Sequence, residues 1–555
     1  MSKYKCSICE REFDEEEKQL TKDPTEKCIL HCEKNFWYDV ETFANVHKKN
    51  WEKSTVNIKF FWEKIRNTLN LDQNNGMVDF QKVVFPKFEE NEDSDENFKM
   101  LQVASSGLSS IFRTAEITRS INFSNAIFLD DLILDNYTFT ETLFFNNAII
   151  DGDVNIKNSE FNDLFFYKTT FNKKVSLEEE STFVRPLFNS CNFNEGSSLI
   201  VSSSKIEGKL FEYRDGKQDL KLPKNIILED STFEEEFDLT NTNSDFNRIY
   251  IGNCKFTNDF WLYDTNKINI IFMNNNSFDK LFYLAYNNIQ ELNITQIDFK
   301  EIANLSNNTI AKFVCNNLFF NQAISFRRST FNSNVTFQNI DFFHQVDFSN
   351  VKINGELDLR YASIYGEADF LDLEVNSIAN RDTARKIKYS FEKIDNIIDA
   401  NKYYAIEMRE RSKELNLKNK PLEWLIFKIH EISSNHSQDW LLAVSWIILV
   451  GMLLSLFKIN FVDSIPITFI ALVPLLLFFF KKYMFLMFYG FFFLFMCTID
   501  YSILDSLDKI AYNLNPFSIM TSADTISFVE LLFKVIIAYL IYQFIVSVRQ
   551  NTRRK

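Results

Sequence analysis

Between Phe326 and Val375 the chain carries two rails of large apolar residues, each advancing by eleven. One rail is Phe326, Phe337, Phe348, Leu359 and Phe370; the other is Phe331, Phe342, Ile353, Ile364 and Val375. Interleaved, they place an apolar residue at alternating steps of five and six. An α-helix would scatter such positions around its surface, and a hairpin strand alternates with period two. A short strand followed by a corner, repeated around a coil, does produce this spacing, so the chain reads as a solenoid.

The register continues upstream in looser form. Phe139, Phe161 and Phe183 lie 22 apart, as do Phe144, Phe166 and Phe188, then Phe171 and Phe193, Phe211 and Phe233, and Phe256 and Phe278. A small residue often stands two places before the aromatic, as Ser159, Ser181, Cys191, Ser231, Cys254 and Ser329 do. Four steps of five or six make 22, which predicts a four-sided coil. Each side turns one large residue inward, with a small neighbour sharing the crowded interior.

The segments FNSNVTF (331–337), DFSNVKINGELDL (347–359) and ASIYGEADF (362–370) resemble the pentapeptide-repeat family, whose repeat centres on Phe or Leu after a small residue. The resemblance covers roughly residues 118–376 and implies a right-handed quadrilateral parallel β-helix. At 4.7 Å per coil, that span makes roughly twelve coils, a rod on the order of 55 Å long. The register loosens at 195–230 and 283–325, where bulges or inserted loops are expected.

Composition agrees with this. Aromatic residues make up 16% of the chain and include 60 Phe, the excess that the rails consume. Gly and Pro number only 11 and 8, too few for long flexible linkers. The net charge is −15, and it belongs to the first 420 residues, which hold 50 Lys/Arg against 66 Asp/Glu. No basic footprint for nucleic acid is present, so no nucleic-acid partner is expected. The opening MSKYKCSICEREFDEEEK has no apolar h-region, which predicts no cleaved signal peptide. Eight unframed cysteines fit a reducing compartment.

Residues 1–35 read as a zinc module. Cys6 and Cys9 form one C-x2-C pair, and Cys28 and Cys32 form a C-x3-C pair, with His31 as an alternative fourth ligand. Two chelating turns joined by a loop supply a tetrahedron of N and S donors, and the polar loop has no core of its own. A structural, closed Zn²⁺ site is the expectation; reduced thiols without metal are the alternative. Residues 36–117 are expected to form a cap. There Ile58, Phe61, Trp62, Ile65 and Leu69 share a helical face, and the acidic run at 89–97 is a solvated loop without the glycine of a calcium-binding EF-hand.

After Val375 the period becomes helical. Ala384, Ile387, Phe391 and Ile394 mark one amphipathic helix, and Ala400, Tyr404, Met408 and Leu415 a second. Residues 377–437 are therefore read as a hairpin capping the rod, plus a juxtamembrane helix, with Arg381, Asp382, Glu407 and Arg411 as surface charges. Residues 438–555 read as a membrane domain with spans at 440–457, 464–480, 483–499 and 528–548. Lys481, Lys482, Arg549, Arg553, Arg554 and Lys555 orient both termini toward the cytoplasm of a bacterial inner membrane. Glu530 and Lys534, one turn apart inside the last span, are candidates for a functional charge pair or for mutual neutralisation. The loop 500–527 has no potassium-filter sequence.

The five histidines form no triad, and no phosphate-binding glycine loop is present, so an enzyme is not expected. The sequence favours a membrane-anchored scaffold that presents a cytoplasmic β-helix to a protein partner. The alternative is a sensor-coupled membrane effector whose spans assemble into a homo-oligomeric pore.

Overall fold

The computed structural model describes residues 3–21, 24–43, 46–71, 77–87, 115–212, 221–240, 244–265, 267–415, 418, 420–457, 512, 514–517 and 527–552. They fall into two compact units, Met1–Ser377 and Ile378–Lys555. The spans expected at 464–480 and 483–499, the acidic run at 89–97 and nearly all of the 500–527 loop lie outside the described residues.

The first unit is a parallel β-solenoid of about eleven turns. Its columns explain the eleven-residue rails. Phe326, Phe348 and Phe370 stack face to face at 5.1 and 5.2 Å, while Phe337 and Phe342 line other sides of the same core. A second column runs Phe233, Phe256, Phe278, Phe299, Phe320 and Phe342, with ring spacings of 4.8–5.5 Å. The rails fade at their end: Ile364 and Val375 are only half-buried.

Register differs from the sequence reading at three places. Phe145, not Phe144, lies inside, stacked 4.9 Å from Phe166, because that coil has 21 residues. Phe233 sits over Ile206 and Phe183 rather than over Phe211, since the step from Ile206 to its partner Phe233 is 27 residues instead of 22. The stretch 283–325 holds no insertion. Its coils are each one residue short, so that Ile268, Ile289 and Ile310 align in steps of 21, as do Phe278, Phe299 and Phe320. Aliphatic residues replace many of the aromatics there, which is why a search for Phe loses the repeat.

The solenoid also starts earlier than its repeat suggests. Two strands, Met77–Asp79 and Val84–Phe85, pair in parallel with Ser120–Asn122 and Ile127–Phe128. Phe85 stacks 4.7 Å from Phe128. On its other side Phe85 meets Phe61 and Trp62 of the helix Thr55–Leu71, whose residues Ile58, Phe61, Trp62 and Ile65 are buried. The helix thereby covers apolar surface that the first coil would expose.

The corners follow a second period of eleven. Asn125, Asn136, Asn147 and Asn158 all have left-handed backbone (φ 44–61°), and Asn253, Asp264 and Asn275 repeat this at φ 54–55°. Asn and Asp tolerate that conformation better than other non-glycine residues. Several of these side chains bond up the stack: Asn275 Nδ2 donates to Asn253 Oδ1 at 2.8 Å, and Asn253 Nδ2 to Asp230 Oδ1 at 2.9 Å.

The small residue after the corner does more than save space. Its side-chain oxygen accepts from a backbone N–H of the preceding coil. Ser159 Oγ takes the Tyr137 N–H, Asn276 Oδ1 the Cys254 N–H, Asn308 Oδ1 the Asn287 N–H, and Ser329 Oγ the Asn308 N–H, at 2.8–3.1 Å. A buried amide left unpaired costs about 1–3 kcal/mol. Asn308→Ala is therefore expected to destabilise the solenoid by about that much, and Asn308→Ser by clearly less, because serine restores the acceptor. Denaturant melts of the two variants check this; equal losses would rule out the hydrogen bond as the reason.

In the second unit, two antiparallel helices, Arg381–Lys393 and Ile397–Glu414, are joined at Asp395 (φ 60°) and capped by Asn396, whose side chain accepts from Asp399 N. Their seam buries Ala384, Ile387, Phe391, Ala400 and Tyr403; Phe391 stacks 5.7 Å from Tyr403, so the second stripe runs through Tyr403 rather than Tyr404. Glu407 is not a surface charge. It is buried and bound by Arg385 Nε and Lys388 Nζ, both at 2.9 Å, which ties the two helices together. The chain continues into helices Pro421–Ser434, Trp440–Phe457 and Phe528–Thr552.

Asn435, His436 and Ser437 join the first two of these helices in left-handed conformations. His436 is fully buried with its Nδ1 3.3 Å from that of His430, and burial pushes its pKa down to about 4. In the unfolded chain it titrates near 6.5, so between those values the unfolded state binds more protons. Stability of this unit is expected to fall as pH drops from about 6.5 toward 4, and His436→Asn should flatten that slope. Thermal melts across the window check it; an unchanged slope in the variant would exclude His436.

Candidate metal centre

The sequence from Tyr4 to Phe13 folds as a short hairpin, Tyr4–Lys5 against Glu12–Phe13. At its turn Cys6 N donates to Arg11 O and Glu10 N to Cys6 O, with Glu10 left-handed at φ 59°. This brings Cys6 and Cys9 to one side. A second tight turn follows the helix Glu15–Thr21, where the amides of His31 and Cys32 both donate to Cys28 O at 3.0 Å. It turns Cys28 and His31 toward the first pair.

The Sγ atoms of Cys6, Cys9 and Cys28 and a ring nitrogen of His31 all lie within 4.8 Å of one another. Cys9 and Cys28 are 3.8 Å apart, Cys6 and His31 Nδ1 3.8 Å, and Cys28 and His31 Nδ1 3.2 Å. A tetrahedral ion with bonds of about 2.3 Å to sulfur and about 2.0 Å to nitrogen needs donor separations of about 3.3–3.8 Å. The four donors lie close enough together to bind such an ion. Cys32 is outside this group; its thiol is directed to Ile29 O at 3.6 Å. Of the two fourth ligands open in the sequence, His31 is the one that meets the other three.

The imidazole is held in the form a metal requires. His31 Nε2 lies 3.2 Å from Gln81 O, and a carbonyl can only accept, so the proton sits on Nε2 and the Nδ1 lone pair faces the thiols. Cys28 and Cys9 share a hydrogen bond, which favours the thiolate on Cys9 and pushes the Cys28 thiol up. Metal binding would displace the remaining protons.

Two supporting side chains carried no signal in the sequence. Glu17, buried inside the helix Glu15–Thr21, accepts from Ile29 N at 3.0 Å and has Lys64 Nζ 3.5 Å away. Lys34 is fully buried. Its ammonium donates to the carbonyls of Ile29, Leu30 and Cys32 at 2.9, 3.2 and 2.9 Å, with the Trp37 and Phe61 rings 5.4 and 5.1 Å away. It pins the turn that carries Cys28 and His31. Val84 N donates to Leu30 O at 2.9 Å, so the same turn is bonded to the first coil.

The other expected site lies on the helix Phe528–Thr552. Lys534 is buried, and its Nζ donates to Tyr512 O at 3.0 Å and Asn515 O at 2.8 Å. Glu530 stands in the first turn of its helix, where its amide donates to Ser527 Oγ and its charge suits the helix dipole. By length and composition, Phe528–Gln550 can cross a membrane, with mean hydropathy 2.1; Trp440–Gly451 is a shorter apolar helix. Among the described residues, one helix therefore meets the length and apolarity of a span, where the sequence reading expected four.

Comparison with protein-family models, curated proteins and solved structures found no match to this chain.

Proposed function

We propose that this protein is a non-enzymatic scaffold: a pentapeptide-repeat-like, right-handed β-solenoid held at the inner face of a bacterial membrane, displaying its outer surface to a protein partner. Zn²⁺ at Cys6, Cys9, Cys28 and His31 would be structural. Four protein donors fill a tetrahedron and leave no open position for substrate or water. Three thiolates and a neutral imidazole around Zn²⁺ leave one net negative charge, which the buried Lys34 ammonium complements.

The observation that carries the scaffold reading is a cluster of aromatic rings on the outside of the solenoid. Trp261 and Tyr283 are 4.9 Å apart, Tyr263 and Tyr283 5.7 Å, and Tyr263 and Tyr286 5.2 Å. None of the four is buried, and Tyr286 is 47% exposed. Tyr286 is left-handed at φ 59°, on a corner series otherwise dominated by Asn and Asp. A bulky side chain held in that conformation stores strain that core packing does not require. Exposed Trp and Tyr are the residues most enriched at the centres of protein interfaces.

The test is affinity purification of the full chain from cells after chemical cross-linking. Trp261→Ala with Tyr283→Ala is expected to lose a specific copurifying protein that the outward control Phe272→Ala retains. If both variants and the parent recover the same proteins, this surface is not the partner site.

A further inference from the structure

We propose that the helix Pro421–Ser434 is a second, in-plane membrane contact that lies in the phospholipid interface with its apolar face toward the acyl chains. The proposal rests on the reading that Phe528–Gln550 crosses the bilayer.

The helix has two chemically distinct faces. Leu422, Leu425, Ile426, Ile429 and Ile432 fall at spacings of three and four on one side and are 43–74% exposed. The opposite side is used within the unit. Phe427 packs under the Arg411 guanidinium at 4.9 Å, His430 Nε2 meets Ser437 Oγ at 3.2 Å, and Ser434 Oγ donates to Gln543 Oε1 at 3.1 Å. Flanking charges are paired locally, Lys420 with Glu423 and Lys428 with Glu431. Five branched aliphatic side chains held in water on one face of a short helix are costly, and a lipid interface removes that cost.

The position of the helix selects lipid as the occupant. Its C-terminal end is tied to the two apolar helices: Ser434 to Gln543, Ser433 to Tyr539 at 3.5 Å, and Ile432 O to Trp446 Nε1 at 2.9 Å. Gln543 precedes the end of the candidate span, Gln550, by seven residues, or about 10 Å of helix. That places the end of Pro421–Ser434 about as far below the span's polar end as interfacial helices bury, roughly 5–10 Å. Trp440, 46% exposed and 6.5 Å from Phe544, marks the same level, where tryptophan gathers at membrane surfaces. The exposed stripe is thus continuous in depth with Leu441, Tyr542 and Ile545, which are also exposed on the apolar helices.

Photo-cross-linking tests this directly. The full chain is reconstituted in vesicles of phosphatidylglycerol and phosphatidylethanolamine, with benzoylphenylalanine in place of Ile426, Ile429, Glu431 or Ile536, and adducts are read by mass spectrometry. Lipid adducts at Ile426 and Ile429 are expected to exceed those at Glu431 by about tenfold. Adducts at Ile536, on the candidate span, report the anchoring by itself. Lipid at Ile536 with none at Ile426 and Ile429 overturns the in-plane helix and leaves the anchor standing. Adducts from Ile426 to this chain or to a second copy show that protein covers the stripe and also overturn it. Absence of lipid at Ile536 overturns both.

Discussion

Cys28→Ser is expected to reduce the metal content of the purified protein from about one ion per chain to a small fraction of that, and to loosen the segment before residue 87. Cys28 is fully buried and touches both Cys9 and His31, so no neighbouring thiol can replace it without moving a turn. Structural zinc supplies on the order of 10–16 kcal/mol of apparent folding free energy in small modules at neutral pH. The region between the two cysteine pairs is rich in charge and poor in apolar residues, so little else holds it. The damage should stay local, because a solenoid transmits stability chiefly between neighbouring coils. Hydrogen exchange should rise at Val84 and around Leu30, which are bonded to each other, and remain unchanged near Phe337.

Two companion variants separate the ligands. His31→Ala should lose the ion as Cys28→Ser does, and Cys32→Ser should keep it, because the Cys32 thiol is aimed at Ile29 O. Elemental analysis of the three proteins decides between them. Retention in His31→Ala with loss in Cys32→Ser would reverse the assignment of the fourth ligand.

Much of this was readable in the chain because both features repeat or chelate at short range. The rails of Phe, Leu and Ile report a core whose side chains must stack at the spacing of parallel strands, and that constraint leaves a period. The cysteine pairs report turns that need only three or four residues to close. Position in the stack was harder to read. Phe144 and Phe145 are adjacent and alike, and only the length of one coil decides which faces inward. The first coil, at Val78 and Phe85, is separated from its partners Ile121 and Phe128 by 43 residues rather than 22, so its membership is invisible to a periodic search. The eleven-residue series of left-handed Asn and Asp was present in the sequence and would have located the corners. Lys34 and Glu17 could not have been found, since their importance comes from carbonyls and amides that the fold gathers around them.

Phe299→Ala, in the middle of the aromatic column that runs from Phe233 to Phe342, is expected to cost about 3–5 kcal/mol. Phe299 is 1% exposed, stacked 5.5 Å from Phe278 and 4.8 Å from Phe320, with the edge of Phe282 5.0 Å away. Truncation leaves a void bounded by three rings whose backbones are fixed by parallel ladders on both sides, so the walls cannot collapse into it. Phe299→Leu should cost far less, about 1.5 kcal/mol or under, because adjoining columns already hold Ile289, Ile310 and Leu305 in the same core. The outward-stacked Phe272, 5.5 Å from Tyr250, provides the control, and its alanine variant should lose under about 1 kcal/mol. Equilibrium unfolding of the three variants separates packing from mere aromatic content. A Phe299→Ala loss no larger than that of Phe272→Ala would mean that the column is ornament to the ladder of backbone hydrogen bonds. The expected order, with the interior alanine far below the other two, would place most of the solenoid's stability in the stacked rings, and the outer aromatic residues would be free to serve recognition.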